Sequence, residues 1–491
     1  MNQIPPLRIV SEDFIEDVIS EAFDILMKVG VFIENREAYA LLCAHGARPA
    51  DGSKNDSGVG KLLFSQEMIE KALETAPQSI SLADVKGDGK VALQGDQVHY
   101  DPGSAALYLH DPAAGRIRKP RTKDLLRYIQ LVDCLPHYHL QSSALISADV
   151  PETCADSYRL YLALRHGRKP IVTGTFYKSS FRLMHEMLTL VRSGGQALRQ
   201  MPLAIFDACP SPPLMWSDLT AQSVLDAARA GIPSEFVSMP LTGSTAPVTL
   251  AGAVVQHAAE TLSGVILAQS AMEGAPIIWG GSPSAMDLRF GTTPMGVVET
   301  MMLNLADVAV GKYLDLPTHA YMGLSDAKQV DYQAGMESAF GILLAGLAGI
   351  NVVSGAGMLD FESCQSLEKL YLDHEVCAML YRYREGIIRR DEVMAMDLLA
   401  SLPHGGHFLT HPHTLRWFKE EMITPGRAID RRARNSEELA ELSSAAQRAH
   451  DEVERLLGGD AKPYLDERML AELDRMMTLE LKRCGADRLP Q

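Results

Sequence analysis

Between Pro276 and Asp360 the chain three times runs a short apolar stretch into glycine, serine, aspartate or an aromatic residue, as PIIWGGSPSAMD, PTHAYMGLSD and INVVSGAGMLD. Each of the three is followed by residues of helical pattern. Apolar runs that do not alternate belong to strands covered on both faces, and strands separated by helices pair in parallel, because the helix carries the chain back to the starting edge. The same unit recurs upstream in HLQSSALISADV (139–150), KPIVTGTF (169–176), PLAIFDACP (202–210) and PSEFVSMPL (233–241). With 276–281, 318–323 and 351–354 these make seven strands, and GGHFLTH (405–411) is the candidate for an eighth. The expectation is an α/β fold, a (β/α)8 TIM barrel with its functional site on the loops after the strands. An open doubly wound sheet is the alternative, but no glycine fingerprint follows the first strand.

Two regions lie outside this repeat. Residues 11–45 carry apolar positions at helical spacing behind a Ser11 start signal, and residues 61–111 alternate around Gly-Asp turns, as antiparallel hairpins do. We read 1–120 as an N-terminal α+β cap, 121–415 as the barrel, and 416–491 as a C-terminal helical extension containing the charged SEELAELSSAAQRAHDEVERLLG. The 46 basic and 62 acidic residues leave a net charge of −16, against what nucleic acid or an anionic membrane would attract. Seven cysteines without CxxC spacing suit a reducing compartment, and the N-terminus lacks the basic and apolar regions of a secretion signal. The cytoplasm is the expected location. No membrane span is expected, since the most apolar windows, such as 340–353, are short and contain glycine.

The segments SPSAMDLRFGTTPMGVVE, MGLSDAKQVDYQAGMES and INVVSGAGMLDFESCQSLEKLYLDHEV, with the later HGGHFLTHPHT, resemble the trimethylamine methyltransferase family in order and spacing. That resemblance implies a barrel protein that moves a methyl group from an amine to the cobalt of a separate corrinoid protein, so that the cobalamin belongs to the partner and no cofactor is bound by this chain. Founding members carry pyrrolysine, and the loop Asp326–Asp331 is its expected neighbourhood. Only standard residues occur here, which resembles the branch acting on quaternary amines such as glycine betaine. A homo-oligomer is expected.

A quaternary nitrogen already bears a good leaving group, so the protein's task is to hold the cation with one methyl pointing outward. Aromatic faces suit this, because the ring quadrupole attracts a diffuse cation. The candidate substrate-binding residues are Phe206, Phe236, Trp279, Tyr321 and Ser354 at strand ends, Phe361 after the seventh strand, and Tyr100 from the cap. For each aromatic the plain alternative is packing between strand and helix. Asp207, at the end of the third strand, is the one catalytic candidate. If it points inward it attracts the cation and repels a substrate carboxylate, against a simple glycine betaine reading. Cys209 reads as a structural thiol. Lys328 carries a rival function, a Schiff-base lyase or aldolase, although Asp326 and Asp331 favour a salt-bridged lysine. A betaine-binding barrel without turnover is the other rival. His404, His407, His411 and His413 match no closed zinc site, and no metal is expected.

Overall fold

In the computed structural model, residues 5–50, 58–103, 105–112, 115–433, 443–459, 463–486 and 489–490 are described. Eight strand–helix units run in order: β1 His99–Pro102, α1 Thr122–Cys134, β2 Gln141–Ser142, α2 Ala155–His166, β3 Ile171–Gly174, α3 Ser180–Val191, β4 Ala204–Ala208 and α4 Asp218–Ala230. They continue with β5 Ser234–Ser238, α5 Leu250–Ala271, β6 Ile277–Gly281, α6 Val298–Tyr313, β7 His319–Tyr321, α7 Tyr332–Ala348, β8 Val352–Ala356 and α8 Leu367–Glu385.

The strands form a five-stranded parallel sheet, β2 to β6 in sequence order, and a three-stranded parallel sheet, β7-β8-β1. The two sheets meet at both ends. A parallel bridge joins Trp279 to Thr318, where Trp279 N–H donates to Pro317 O at 2.8 Å, and another joins Tyr100 to Tyr138, where His139 N–H donates to Tyr100 O at 3.0 Å. The fold is mixed α/β.

The seven strands read from the sequence are β2 to β8. The eighth was misplaced. GGHFLTH forms no strand, and the strand beside β8 is HYDP at His99–Pro102, assigned from sequence to the cap. The signal was weak because these four residues include no branched aliphatic side chain, follow a hairpin, and pair with a strand more than 250 positions away. The hairpin itself is present, Ile80–Ala83 antiparallel to Lys90–Leu93. Its Ile80, Leu82 and Leu93 pack on Leu140, Val172, Ile205, Ile278 and Val352, one from each of five parallel strands or their entry, and cover the amino-terminal ends of the strands.

Residues 11–45 are not one helix. A helix over Glu12–Asp24, N-capped by the Ser11 side chain, ends before a short strand at Val31–Ile33 and a second helix at Arg36–Ala44. Gly30 makes the break: its φ is 79°, and a side chain there would collide with the Leu62 carbonyl. The Val31–Ile33 strand pairs antiparallel with Gly60–Leu63 and parallel with Met215–Trp216, tying the N-terminal segment to the α5 side. Helix α5 is long and apolar enough to cross a membrane by composition, and most of it is buried against its neighbours. Part of the loop 46–60 and residues 436–442 of the charged tail lie outside the described residues. The described part of that tail, helix Ala445–Leu457, is not merely solvated: Ala449 and Val453 are fully buried in the main core.

Candidate functional site

Successive residues of a strand face opposite ways, so one register decides which half of each strand reaches the site. In β4, Ile205 joins the inner core and Asp207 follows it two residues on, while Phe206 turns outward, edge-on to Phe181 of α3 at 5.4 Å. In β5, Glu235 and Val237 share the inner face, and Phe236 packs on Trp216 at 6.0 Å. In β6 the outward Trp279 donates its indole N–H to Asp307 O of α6 at 3.0 Å. In β1, Tyr100 points outward, its hydroxyl donating to Ile342 O of α7 at 2.8 Å, and Asp101 points inward. Four predicted cage aromatics, Tyr100, Phe206, Phe236 and Trp279, are thus brought to the strand–helix interface and not to the mouth. Tyr321, Phe361 and Asp207 do come together there, and Ser354 lies buried beneath them beside His319.

The inner face at the strand ends is polar. Glu235 Oε1 lies 3.3 Å from His319 Nε2, which in turn is 3.1 Å from Ser354 Oγ, all of them buried. Burial drives the imidazole down to about 3, so it is neutral and its contact with Glu235 is not an ion pair. Burial likewise pushes the carboxyls of Asp101 and Glu235 far above the usual carboxylate range, with Asp207 reinforcing the rise at Glu235. The His319 ring has room because Gly280 faces it: a Cβ there would stand 2.9 Å from Nδ1.

Above this layer opens a cavity of about 490 Å³, within the range of small-molecule sites. Asp207, Cys209, Arg159, Tyr321, Phe176, Phe361 and Glu362 are among the residues that line it. Asp207 is raised by burial, with Glu235 and the Arg159 charge acting in the opposite sense. Glu362 is pushed up to about 8 by burial and then by Asp207. Burial holds the Cys209 thiol up at about 12, which leaves it a thiol and no nucleophile at neutral pH.

Phe361 and Glu362 reach the cavity through an unusual turn. Asp360, Phe361 and Glu362 all have left-handed backbone, φ 53°, 54° and 68°. Each such residue without glycine costs roughly 1–2 kcal/mol, so the turn persists because it is clamped. Asp360 N–H donates to Ala327 O at 3.0 Å, and Asp360 Oδ1 holds Lys328 Nζ at 2.7 Å, with that ammonium 3.7 Å over the Phe361 ring. Lys328 is therefore a half-exposed clamp on the turn, bound to Asp360 and the Asp326 carbonyl. It is not the desolvated amine a Schiff base needs.

Sequence reasoning missed Asp101, Glu235, His319, Arg159, Phe176 and Glu362. A usable signal existed for the first three: each is a polar residue within a short strand and one or two positions from an aromatic, in HYD, SEF and HAY. No local pattern marks Arg159, which comes from the middle of α2. The four histidines of the 404–413 segment do not converge either; His413 sits 3.1 Å from Asp391, and no group of three or more metal-ligating side chains occurs among the described residues.

The family model for trimethylamine methyltransferase (MTTB) matches residues 1–482. The glycine betaine methyltransferase of Desulfitobacterium hafniense (strain Y51) is 27% identical over 486 residues, covering 99% of each chain. The proline betaine:corrinoid methyltransferase of Eubacterium limosum is 26% identical over 490 residues, covering 96% of this chain and 97% of that one. Among solved structures, the monomethylamine methyltransferase of Methanosarcina barkeri shares the fold, with a TM-score of 0.53 at 10% identity over 76% of this chain and 75% of that chain.

Proposed function

The chain belongs to the trimethylamine methyltransferase family, and we propose that it transfers a methyl group from a small quaternary amine, of the glycine betaine kind, to the Co(I) of a separate corrinoid protein, releasing the tertiary amine. The observation that carries this reading is the cavity at the strand ends, where Tyr321, Phe361 and Phe176 share the lining with the carboxyls of Asp207 and Glu362. Aromatic faces and acidic oxygens together hold a diffuse cation and exclude water around it. The nitrogen needs no acid to leave, so the residues act by orientation, and Asp207 binds charge without moving a proton in the transfer. Cobalamin supplies the nucleophile from the partner, and this chain is proposed to bind no cofactor of its own.

The remaining readings rest on geometry of the same kind. The eight parallel strands are proposed to close as a (β/α)8 barrel, supported by the bridges at Trp279–Thr318 and Tyr100–Tyr138. The division into cap, barrel and C-terminal extension is kept with its first boundary moved ahead of His99. Loops after β1, β5 and β6 expose Leu107, Met239, Val248, Leu288 and Phe290, a rim of apolar side chains suited to a docked corrinoid protein. A second copy of the chain is the proposed cover for the apolar residues of 387–423, and the cytoplasm the proposed location.

The test is an absorbance assay with reduced cob(I)alamin and glycine betaine, proline betaine, carnitine, choline and trimethylamine. Methylcobalamin formed with a quaternary amine supports the proposal. Binding of a betaine without methylation, even with corrinoid protein supplied, would favour a binding barrel.

A further inference from the structure

Arg159 is 2% exposed, in the middle of α2, and it lines the strand-end cavity. Its Nη1 donates to Ser143 O at 2.5 Å, and its guanidinium stands 4.5 Å from the centre of the Phe176 ring. Its Nε has no hydrogen-bond partner, and among the described residues no carboxylate is paired with it directly; the carboxyls of Asp156 and Asp207 act on its charge only from beyond contact. A guanidinium buried in this way carries a large desolvation cost unless an anion is supplied. Every other buried charge near the cavity is a carboxyl. A quaternary ammonium gives Arg159 nothing to bind.

We propose that Arg159 is the specificity-determining residue that receives a carboxylate of the substrate, while the quaternary nitrogen of the same molecule lies against Tyr321 and Phe361 beside Asp207 and Glu362. The site then selects zwitterions, amines whose permanent cation is a few bonds from a carboxylate, over simple cations such as choline. This deepens, and rests on, the methyl-transfer reading. The objection that Asp207 repels a carboxylate loses its force in the fold, because Asp207 and Glu362 are both shifted toward their neutral forms at the pH where Arg159 is still charged. A planar fork on an anion is also the geometry in which arginine discriminates most strongly, since the analogue lacking the anion leaves its donors unpaired.

Two arms test this. On the wild-type protein, calorimetry compares glycine betaine with its methyl ester and with choline, which keep the trimethylammonium and lack the carboxylate. Binding of glycine betaine at least 30-fold tighter than either is expected, and equal affinities would overturn the proposal. On Arg159→Gln and Arg159→Lys, the KM for glycine betaine in the cob(I)alamin assay should rise 100-fold or more in the first and partly recover in the second, with choline affinity changing less than threefold in both. Equal losses for betaine and choline would make Arg159 a structural residue and end the proposal. The two readings fail differently: glycine betaine bound through Arg159 but never demethylated refutes methyl transfer and leaves the carboxylate subsite standing, whereas demethylation untouched by Arg159→Gln refutes the subsite alone. Should the wild-type protein bind none of the three ligands, both fall.

Discussion

The strand-end cavity and the segment 387–423 are opposites. In the first the fold buries groups that water would stabilise, with Asp101, Glu235, His319 and Arg159 all at most 2% exposed. In the second it exposes groups that water disfavours: Ile387 at 93%, Met394 at 68%, Leu409 at 79%, Leu415 at 75% and Phe418 at 56%. The two helices of that segment, Met396–Ser401 and Pro412–Glu421, have no buried residue at all. Each arrangement is costly for an isolated chain, and a different kind of ligand would remove each cost. Buried polar groups are offset by a charged small molecule, and an apolar arm by a protein surface. The proposed substrate site and the proposed assembly site are thus the two possible violations of the same burial rule.

The largest effect separates packing from binding within the first region. Trp279→Ala should lower unfolding free energy by about 3–5 kcal/mol, as expected for truncating a buried Trp, while the KM of the folded enzyme for its amine stays as it was. A raised KM with unchanged denaturant midpoint would put Trp279 back in the cage. Next is the arm. Leu415→Asp with Phe418→Asp should weaken self-association by about 100-fold or more, on the scale of interface anchors, read as a shift to monomer in analytical ultracentrifugation. A wild-type protein that is already monomeric sinks the comparison on that side.

A pH series sharpens the cavity side. A permanent cation favours ionised carboxyls, so binding of tetramethylammonium should release protons and tighten by up to about tenfold per pH unit below 8, levelling above it. Stability runs the other way. Glu362 is raised in the folded state from 4.5 to about 8, so its contribution is whole below 4.5 and is lost as pH rises through 8. Affinity that is flat from pH 6 to 9 would show that these carboxyls do not face the cation. The smallest effect is at Lys328, half exposed in its pair with Asp360. Lys328→Met should cost under about 1 kcal/mol and leave methyl transfer measurable; abolished activity in a folded protein would revive the Schiff-base reading.

Much of the fold was legible because its information is local. Seven strands were placed by apolar runs and by the helices between them. The eighth, at His99–Pro102, was not, since it pairs with Val352–Ala356, far away in the chain, and no pattern in HYDP announces that partner. The site was half legible. Tyr321, Phe361 and Asp207 line the cavity and Ser354 lies beneath it, while Tyr100, Phe206, Phe236 and Trp279 lie on the same strands with their rings on the opposite faces. Their aromatic rings drew notice, yet their size is what suits them to the helix-facing side.

By itself, then, the sequence determined the strand–helix alternation, the family, and the strands whose ends carry chemistry. The alternation and the strands follow from short-range periodicity and residue type, and the family from the order and spacing of the segments that resemble it. Only the tertiary structure decided the pleat register that turns Asp101, Asp207 and Glu235 inward, the left-handed turn that swings Phe361 and Glu362 into the cavity, and the arrival of Arg159 from a neighbouring helix. Each of these depends on contacts between residues far apart in the chain, and a one-residue slip in any strand would have exchanged the two faces.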